Sequence, residues 1–179
     1  EVRGFAPIGG DQMKLANKIA VITGAGRGIG ESIANAFADE GADLILTART
    51  LKQLDRVAAD IKAKNRNAAA ITCDVSSPTE VEKLAAGVKE KFGRVDILVN
   101  NAGISRRSKL LEYDDDIWLN VIRVNLFGVY LCSKAFLPMM QQTGAGRIIN
   151  MASTAGKSPV PFNTAYSAAK HGVLGFTKS

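Results

Sequence analysis

The stretch IAVITGAGRGIGESIANAFADEG, residues 19–41, decides the fold. The apolar run Ile19–Thr23 reads as a strand and passes straight into a glycine-rich turn. The turn opens an amphipathic stretch, Gly28–Glu40, which Gly41 closes. Strand, glycine turn and helix in that order bring main-chain amides and the positive end of a helix to one point, which suits a pyrophosphate. Gly24, Gly28 and Gly30 follow the order T-G-x-x-x-G-x-G. The strict G-x-G-x-x-G spacing is not met, because the later glycine position falls on Ile29 or Glu31. Gly24, Gly26, Arg27, Gly28, Ile29 and Gly30 are therefore the candidate cofactor loop, with a tight turn that holds no ligand as the alternative.

The second strand bears on the choice of nucleotide. A site for NAD(H) usually places an acid about 20 residues past the glycines, for the adenosine ribose 2′-hydroxyl. Arg49 stands there instead, in Thr47-Ala48-Arg49-Thr50. An arginine cannot accept that hydroxyl's proton, but its fork suits a 2′-phosphate. Arg27, inside the turn, is a second cation for the same group. NADP(H) is favoured over NAD(H); the alternative is that Arg49 is only a solvated strand-end residue.

Outward from this unit, short apolar runs alternate with longer helical patterns. Strands are expected at Ile19–Thr23, Asp43–Ala48, Ala68–Cys73, Ile97–Asn100 and Arg147–Met151, and helices at Gly28–Glu40, Leu51–Ala63, Pro78–Phe92 and Asp114–Gln141, with a last one from near Asn163. Runs rich in Val, Ile and Leu without polar alternation are what a parallel sheet covered on both faces requires. Gly41, Gly93 and Gly144 follow helical stretches where a left-handed cap is wanted, and Pro78 stands where a missing donor does little harm. The alternation predicts an α/β, Rossmann-type, doubly wound parallel sheet in three layers. Residues 13–179 read as one domain. Residues 1–12, with Gly4, Pro7, Gly9 and Gly10 and no periodicity, read as a mobile leader or expression remnant before Met13.

Composition excludes several classes. With 46% apolar and 22% charged residues the chain has enough core to fold, and its 17 glycines show no collagen-like period. No uninterrupted apolar run approaches the roughly 20 residues of a membrane span, so no membrane association is expected. The net charge of +6 is scattered and not interleaved with aromatics, which argues against nucleic acid. Cys73 and Cys132 read as buried free thiols and, without a secretory apolar segment at the start, point to the cytoplasm. A lone histidine, His171, argues against a His/Cys zinc site.

Tyr166-Ser167-Ala168-Ala169-Lys170 puts a phenol and an ammonium on one helix face. A free phenol keeps its proton up to about pH 10, and a nearby fixed cation favours the phenolate, which suits general acid–base work. For the pair alone, a surface contact is the alternative. Ser153 follows the fifth strand, at the end where ligands bind in such sheets.

Taken with Cys73-Asp74-Val75, Asn100-Asn101-Ala102-Gly103 and Asn125 in Val124-Asn125-Leu126, these pieces resemble the short-chain dehydrogenase/reductase family from about Lys18 to Ser179. The resemblance implies that Tyr166 protonates a ketone oxygen as NADPH delivers hydride, or acts as the base in reverse. By the same resemblance Lys170 assists Tyr166 and binds the nicotinamide ribose, Ser153 bonds the substrate carbonyl, and Asn125 holds a water in a proton relay. Asp74 and Val75 would meet the adenine, and Asn101, Ala102 and Gly103 would line the adenosine side. Asn125 as a helix kink and Asp74 as a turn cap remain the structural alternatives. Residues 152–157 and 168–173 look similar to 3-oxoacyl-thioester reductases. This implies a 3-oxoacyl thioester or similar secondary carbonyl as substrate; Arg106 and Arg107, near the mouth, would attract an acidic acyl carrier or its phosphopantetheine arm, with a solvated loop pair as the alternative.

The family normally continues with more strands and a substrate-covering segment, whereas this sequence ends at Lys178-Ser179 inside the Tyr166 helix. Roughly seventy residues, about two strand–helix units, are therefore expected to be absent. The fifth strand would then be an open edge, and the homodimer or homotetramer contacts of the complete family fold would be incomplete. A catalytically inactive nucleotide-binding or oligomerising fragment and an NAD-dependent secondary-alcohol dehydrogenase stand as the other functional readings.

Overall fold

The computed structural model describes residues 13–158 and 160–179; the leader expected over residues 1–12 lies outside them. Five strands form one parallel sheet: β1 (Ile19–Thr23), β2 (Asp43–Ala48), β3 (Ala68–Thr72), β4 (Ile97–Asn100) and β5 (Arg147–Asn150). Their order is β3-β2-β1-β4-β5. The chain therefore winds outward from β1 in one direction, returns, and winds outward from β4 in the other. Between β1 and β4 it leaves a switch point, the place where such sheets bind ligands.

Helices cover both faces: α1 (Gly28–Asp39), α2 (Leu51–Lys62), α3 (Pro78–Phe92), α4 (Asp115–Ile122), α5 (Gly128–Thr143) and α6 (Thr164–Lys178). Successive strand residues point to opposite faces, so the sheet divides the core in two. Ile22, Leu44 and Leu46 pack with Ala34 and Ala38 of α1 and with Leu54 and Ile61 of α2. Val21, Ile45 and Leu98 pack on the other side with Val81, Leu84 and Val88 of α3 and Phe136 and Met140 of α5. Cys73 and Cys132 both belong to this second core and are free thiols, and burial pushes each up to about 12.

Local chemistry sets the helix ends. Ser77 accepts from the Glu80 N–H at the start of α3, with Pro78 in the first turn, and Gly93 and Gly144 take left-handed conformations past α3 and α5. Two expectations need correction. Uniform burial holds for β1, β2 and β4 but not for the edges: β3 is half-buried, and in β5 Arg147 and Ile149 are exposed. The long helix expected over Asp114–Gln141 is present over Asp115–Thr143, but it is not uniform: α4 and α5 are joined within it by a π-helical turn, Arg123–Phe127. This continuous 29-residue helix is also long and apolar enough, by length and composition alone, to cross a membrane. The expectation missed it because the charges of Arg123 and Lys134 interrupt the apolar run. Its buried side chains, among them Val124, Cys132, Phe136 and Met140, belong to the second core.

Candidate active site

Every strand delivers the residues at its carboxyl end to one cleft of about 580 Å³. Its lining runs from Gly24, Gly26, Arg27 and Ile29 after β1, through Ala48–Thr50 after β2 and Cys73–Val75 after β3. It continues with Asn101–Ser105 after β4 and Met151 and Ala152 after β5, and is completed by Val124, Asn125, Tyr166 and Lys170.

The glycine turn is held from behind. Thr23 Oγ1 accepts from the N–H groups of Asn101 at 3.0 Å and Ala102 at 2.9 Å, and donates to the Val99 carbonyl at 3.3 Å. Asn101 Nδ2 donates to the carbonyls of Thr23 at 2.9 Å and Gly24 at 3.3 Å. Gly24 has φ +66°, a conformation that only glycine adopts at little cost. Gly30 is required by space: a Cβ there would collide with the Gly24 carbonyl oxygen and lie 2.6 Å from Asn101 Nδ2. Behind the turn, the Arg56 guanidinium forks onto Glu31. This hydrogen bonding holds the Glu31 carboxyl below the usual range.

At one end of the cleft, Arg27 and Arg49 are exposed, and Thr50 and Gln53 stand beside them. Asp74 Oδ1 accepts from the Ser76 N–H at 2.9 Å and the Ser76 hydroxyl at 2.7 Å. It therefore caps its own turn while also lining the cleft. Glu80 takes the Asp74 N–H at 2.8 Å and so fixes this turn from the first turn of α3.

Lys170 stands at the other end. It is 4% exposed, its Nζ donates to the Met151 carbonyl at 2.6 Å, and it sits 5.5 Å from the centre of the Tyr166 ring. Burial alone drives its pKa down. Tyr166 is half-buried on the same helix, α6, which packs against the π-helical turn that carries Asn125. Asn125 is fully buried. Its Nδ2 donates to the carbonyls of Ile104 at 2.7 Å and Val121 at 2.9 Å, while Oδ1 has no protein partner. Such an orphan acceptor is expensive, about 1–3 kcal/mol, and π-helical turns recur at functional sites.

The structure thus gathers Gly24, Gly26, Arg27, Ile29, Arg49, Asp74, Val75, Asn101, Ala102, Gly103, Asn125, Tyr166 and Lys170 around one cleft. Gly28 and Gly30 belong to the turn but not to its lining. Ser153 follows the lining residues Met151 and Ala152, and its Oγ accepts from the Ala155 N–H at 3.2 Å to start the short 3-10 turn Thr154–Gly156. Sequence reasoning named Thr23 only as the first residue of the glycine motif and missed Gln53, Arg56 and Glu80. Of these three, only Glu80 had a local signal, the S-x-x-E pattern from Ser77. Among the described residues no cluster of three or more His, Cys, Asp or Glu is placed to hold a metal ion.

These residues fit a dinucleotide. The glycine turn, held tight by the close packing of Gly30 on the Gly24 carbonyl, the start of α1 with its unpaired amides, and two exposed arginines suit a phosphate-bearing ligand. The Asn125 Oδ1 orphan and the buried Lys170 side chain make the other end polar. Fold and site together define a Rossmann-type domain with a tyrosine–lysine pair opposite its glycine turn.

Comparison with known proteins agrees. The short chain dehydrogenase family model matches residues 18–179, and the chain belongs to that family. It is 43% identical over 166 residues to the 3-oxoacyl-[acyl-carrier-protein] reductase of Synechocystis sp., covering 92% of this chain and 67% of that protein. It is 40% identical to the FabG reductase of the same name from Haemophilus influenzae, covering 92% of this chain and 67% of that protein. Among solved structures, a metagenomic short-chain oxidoreductase in complex with NADP superposes with a TM-score of 0.88 at 40% identity, covering 92% of this chain and 75% of that one. An alcohol dehydrogenase from Thermococcus sibiricus, complexed with 5-hydroxy-NADP, gives a TM-score of 0.86 at 34% identity, covering 90% and 68%. The chain spans about two thirds of the length of the curated relatives it matches.

Proposed function

We propose that the chain is the cofactor-binding and catalytic part of an NADP(H)-dependent ketoreductase, acting on a 3-oxoacyl thioester or a similar secondary ketone. The observation that carries this reading is Lys170: a buried ammonium that donates to a main-chain carbonyl, beside a phenol, in the cleft that also holds Arg27 and Arg49. Desolvating an ammonium is costly, one main-chain carbonyl offsets only part of that cost, and side chains kept in such a state cluster at functional sites.

The turn Gly24–Gly30 and the start of α1 would hold the pyrophosphate, Arg27 and Arg49 the 2′-phosphate, and Asp74 and Val75 the adenine. Asn101, Ala102 and Gly103 would line the adenosine side. When bound, NADPH supplies the hydride. Tyr166 gives its proton to the carbonyl oxygen, and Ser153 donates a hydrogen bond that strengthens as negative charge gathers on that oxygen. Lys170 stabilises the phenolate that Tyr166 becomes and meets the nicotinamide ribose hydroxyls. Asn125 would hold a water that continues the proton relay beyond Lys170. The names of the relatives at 40–43% identity support the 3-oxoacyl substrate.

The test is loss of 340-nm absorbance when NADPH and a 3-oxoacyl thioester are supplied to wild type and to Tyr166→Phe. Turnover in the wild type that falls by about 10²–10⁴-fold in the variant is expected of a lost proton donor. No turnover in the wild type, or equal turnover in both, contradicts the reading.

A further inference from the structure

The Arg56 side chain lies behind the glycine turn, on the α2 side. Its Nη1 and Nη2 donate to Glu31 Oε1 at 2.7 Å and Oε2 at 2.8 Å, and the same Nη2 reaches the Gly26 carbonyl at 3.4 Å. Asp60, one helical turn further along α2, stands 3.6 Å from Nη1. Gly26 and Arg27 line the cleft, whereas Arg56 does not. A trans peptide directs its carbonyl and the following N–H to opposite sides. Arg56 therefore engages the Gly26 carbonyl and leaves the Arg27 N–H of the same peptide pointing away from the guanidinium.

Glu31 poses a second problem that Arg56 answers. It stands in the first turn of α1, beside the amides that would receive an anion. Unpaired, its carboxylate would repel a phosphate there, but the guanidinium covers both of its oxygens. A pair with Arg56 about half exposed contributes little to fold stability, so stability does not account well for this arrangement.

We propose that Arg56 is a positioning residue for the dinucleotide: by gripping the Gly26 carbonyl and neutralising Glu31 it aims the glycine turn at a pyrophosphate. The inference rests on reading the cleft as an NADP(H) site. Because NADPH and NADH share the pyrophosphate, Arg56 acts on both alike, unlike a residue that reads the 2′-phosphate.

Calorimetric titration of NADPH and of NADH into wild type, Arg56→Met, Arg56→Lys and the double variant Arg56→Met/Glu31→Gln tests it. Arg56→Met should weaken both dinucleotides by about tenfold, the scale of a lost charge-assisted contact. Their affinity ratio should not change. Arg56→Lys should fall between, the double variant should recover part of the loss, and Tm should stay within a few degrees of wild type. Unchanged affinities, a loss confined to NADPH, or losses that simply follow Tm across the set overturn the proposal. If Arg56→Met does not fold, Arg56→Lys decides by the same criteria. Failure of the wild type to bind either dinucleotide overturns the reading of the cleft as well.

Discussion

Lys170 carries its charge into a place that water barely reaches, and that placement has a measurable signature. Its native pKa lies below the ordinary lysine value of 10.5 because burial disfavours the charged form. Below the native pKa the native and unfolded chains both hold the proton, and the cost of burying it is fully present. As pH rises through the native pKa toward 10.5 the native state sheds the proton first, so that cost disappears and stability gains. Denaturation of wild type and Lys170→Met at neutral pH and at about pH 10 should show the difference moving in favour of wild type with rising pH; parallel profiles would contradict it. Asp74 shows how one side chain can satisfy two readings. Its Oδ1 caps the turn through Ser76, as the structural alternative held, and the residue still lines the cleft.

Among the elements, the glycine turn depends most on a single atom's absence. Gly30→Ala would press a methyl group against the Gly24 carbonyl and Asn101 Nδ2, both fixed to neighbouring strands. A loss of about 1–3 kcal/mol is expected, together with weakened NADPH binding. Urea titration and calorimetry check this, and wild-type values in both would show that the turn has room. This turn was legible in the sequence because glycine, strand and helix signals coincide within residues 19–41. Helix starts at Gly28, Leu51 and Pro78 were legible for the same local reason. The π-helical turn was not, and one contact of its Asn125 is far from local: its Nδ2 reaches the Ile104 carbonyl, 21 positions away in the loop after β4. Arg56 was invisible too, since its partners Glu31 and Gly26 stand 25 and 30 positions off. The open edge expected at β5 was legible as well: sheet order puts the strand at an edge with Ile149 42% exposed.

Across the whole molecule, the five carboxyl strand ends assemble one cleft whose two ends differ in chemistry. Arg27 and Arg49 stand at one, and Tyr166, Lys170 and Asn125 at the other. A protein with net charge +6 that presents exposed cations at such a cleft favours an anionic ligand. The ligand proposed for this cleft is NADP(H), chosen over NAD(H) by the arginine after β2. This is testable without knowing the carbonyl substrate. Calorimetric titration of NADPH and NADH into wild type and Arg49→Asp is the direct measurement. One NADPH site per chain, tighter than NADH, is predicted. In Arg49→Asp the preference should move toward NADH by about tenfold or more, the effect of replacing a charge-assisted phosphate contact with repulsion. No dinucleotide binding, or the same NADPH-to-NADH ratio in both proteins, would contradict the account.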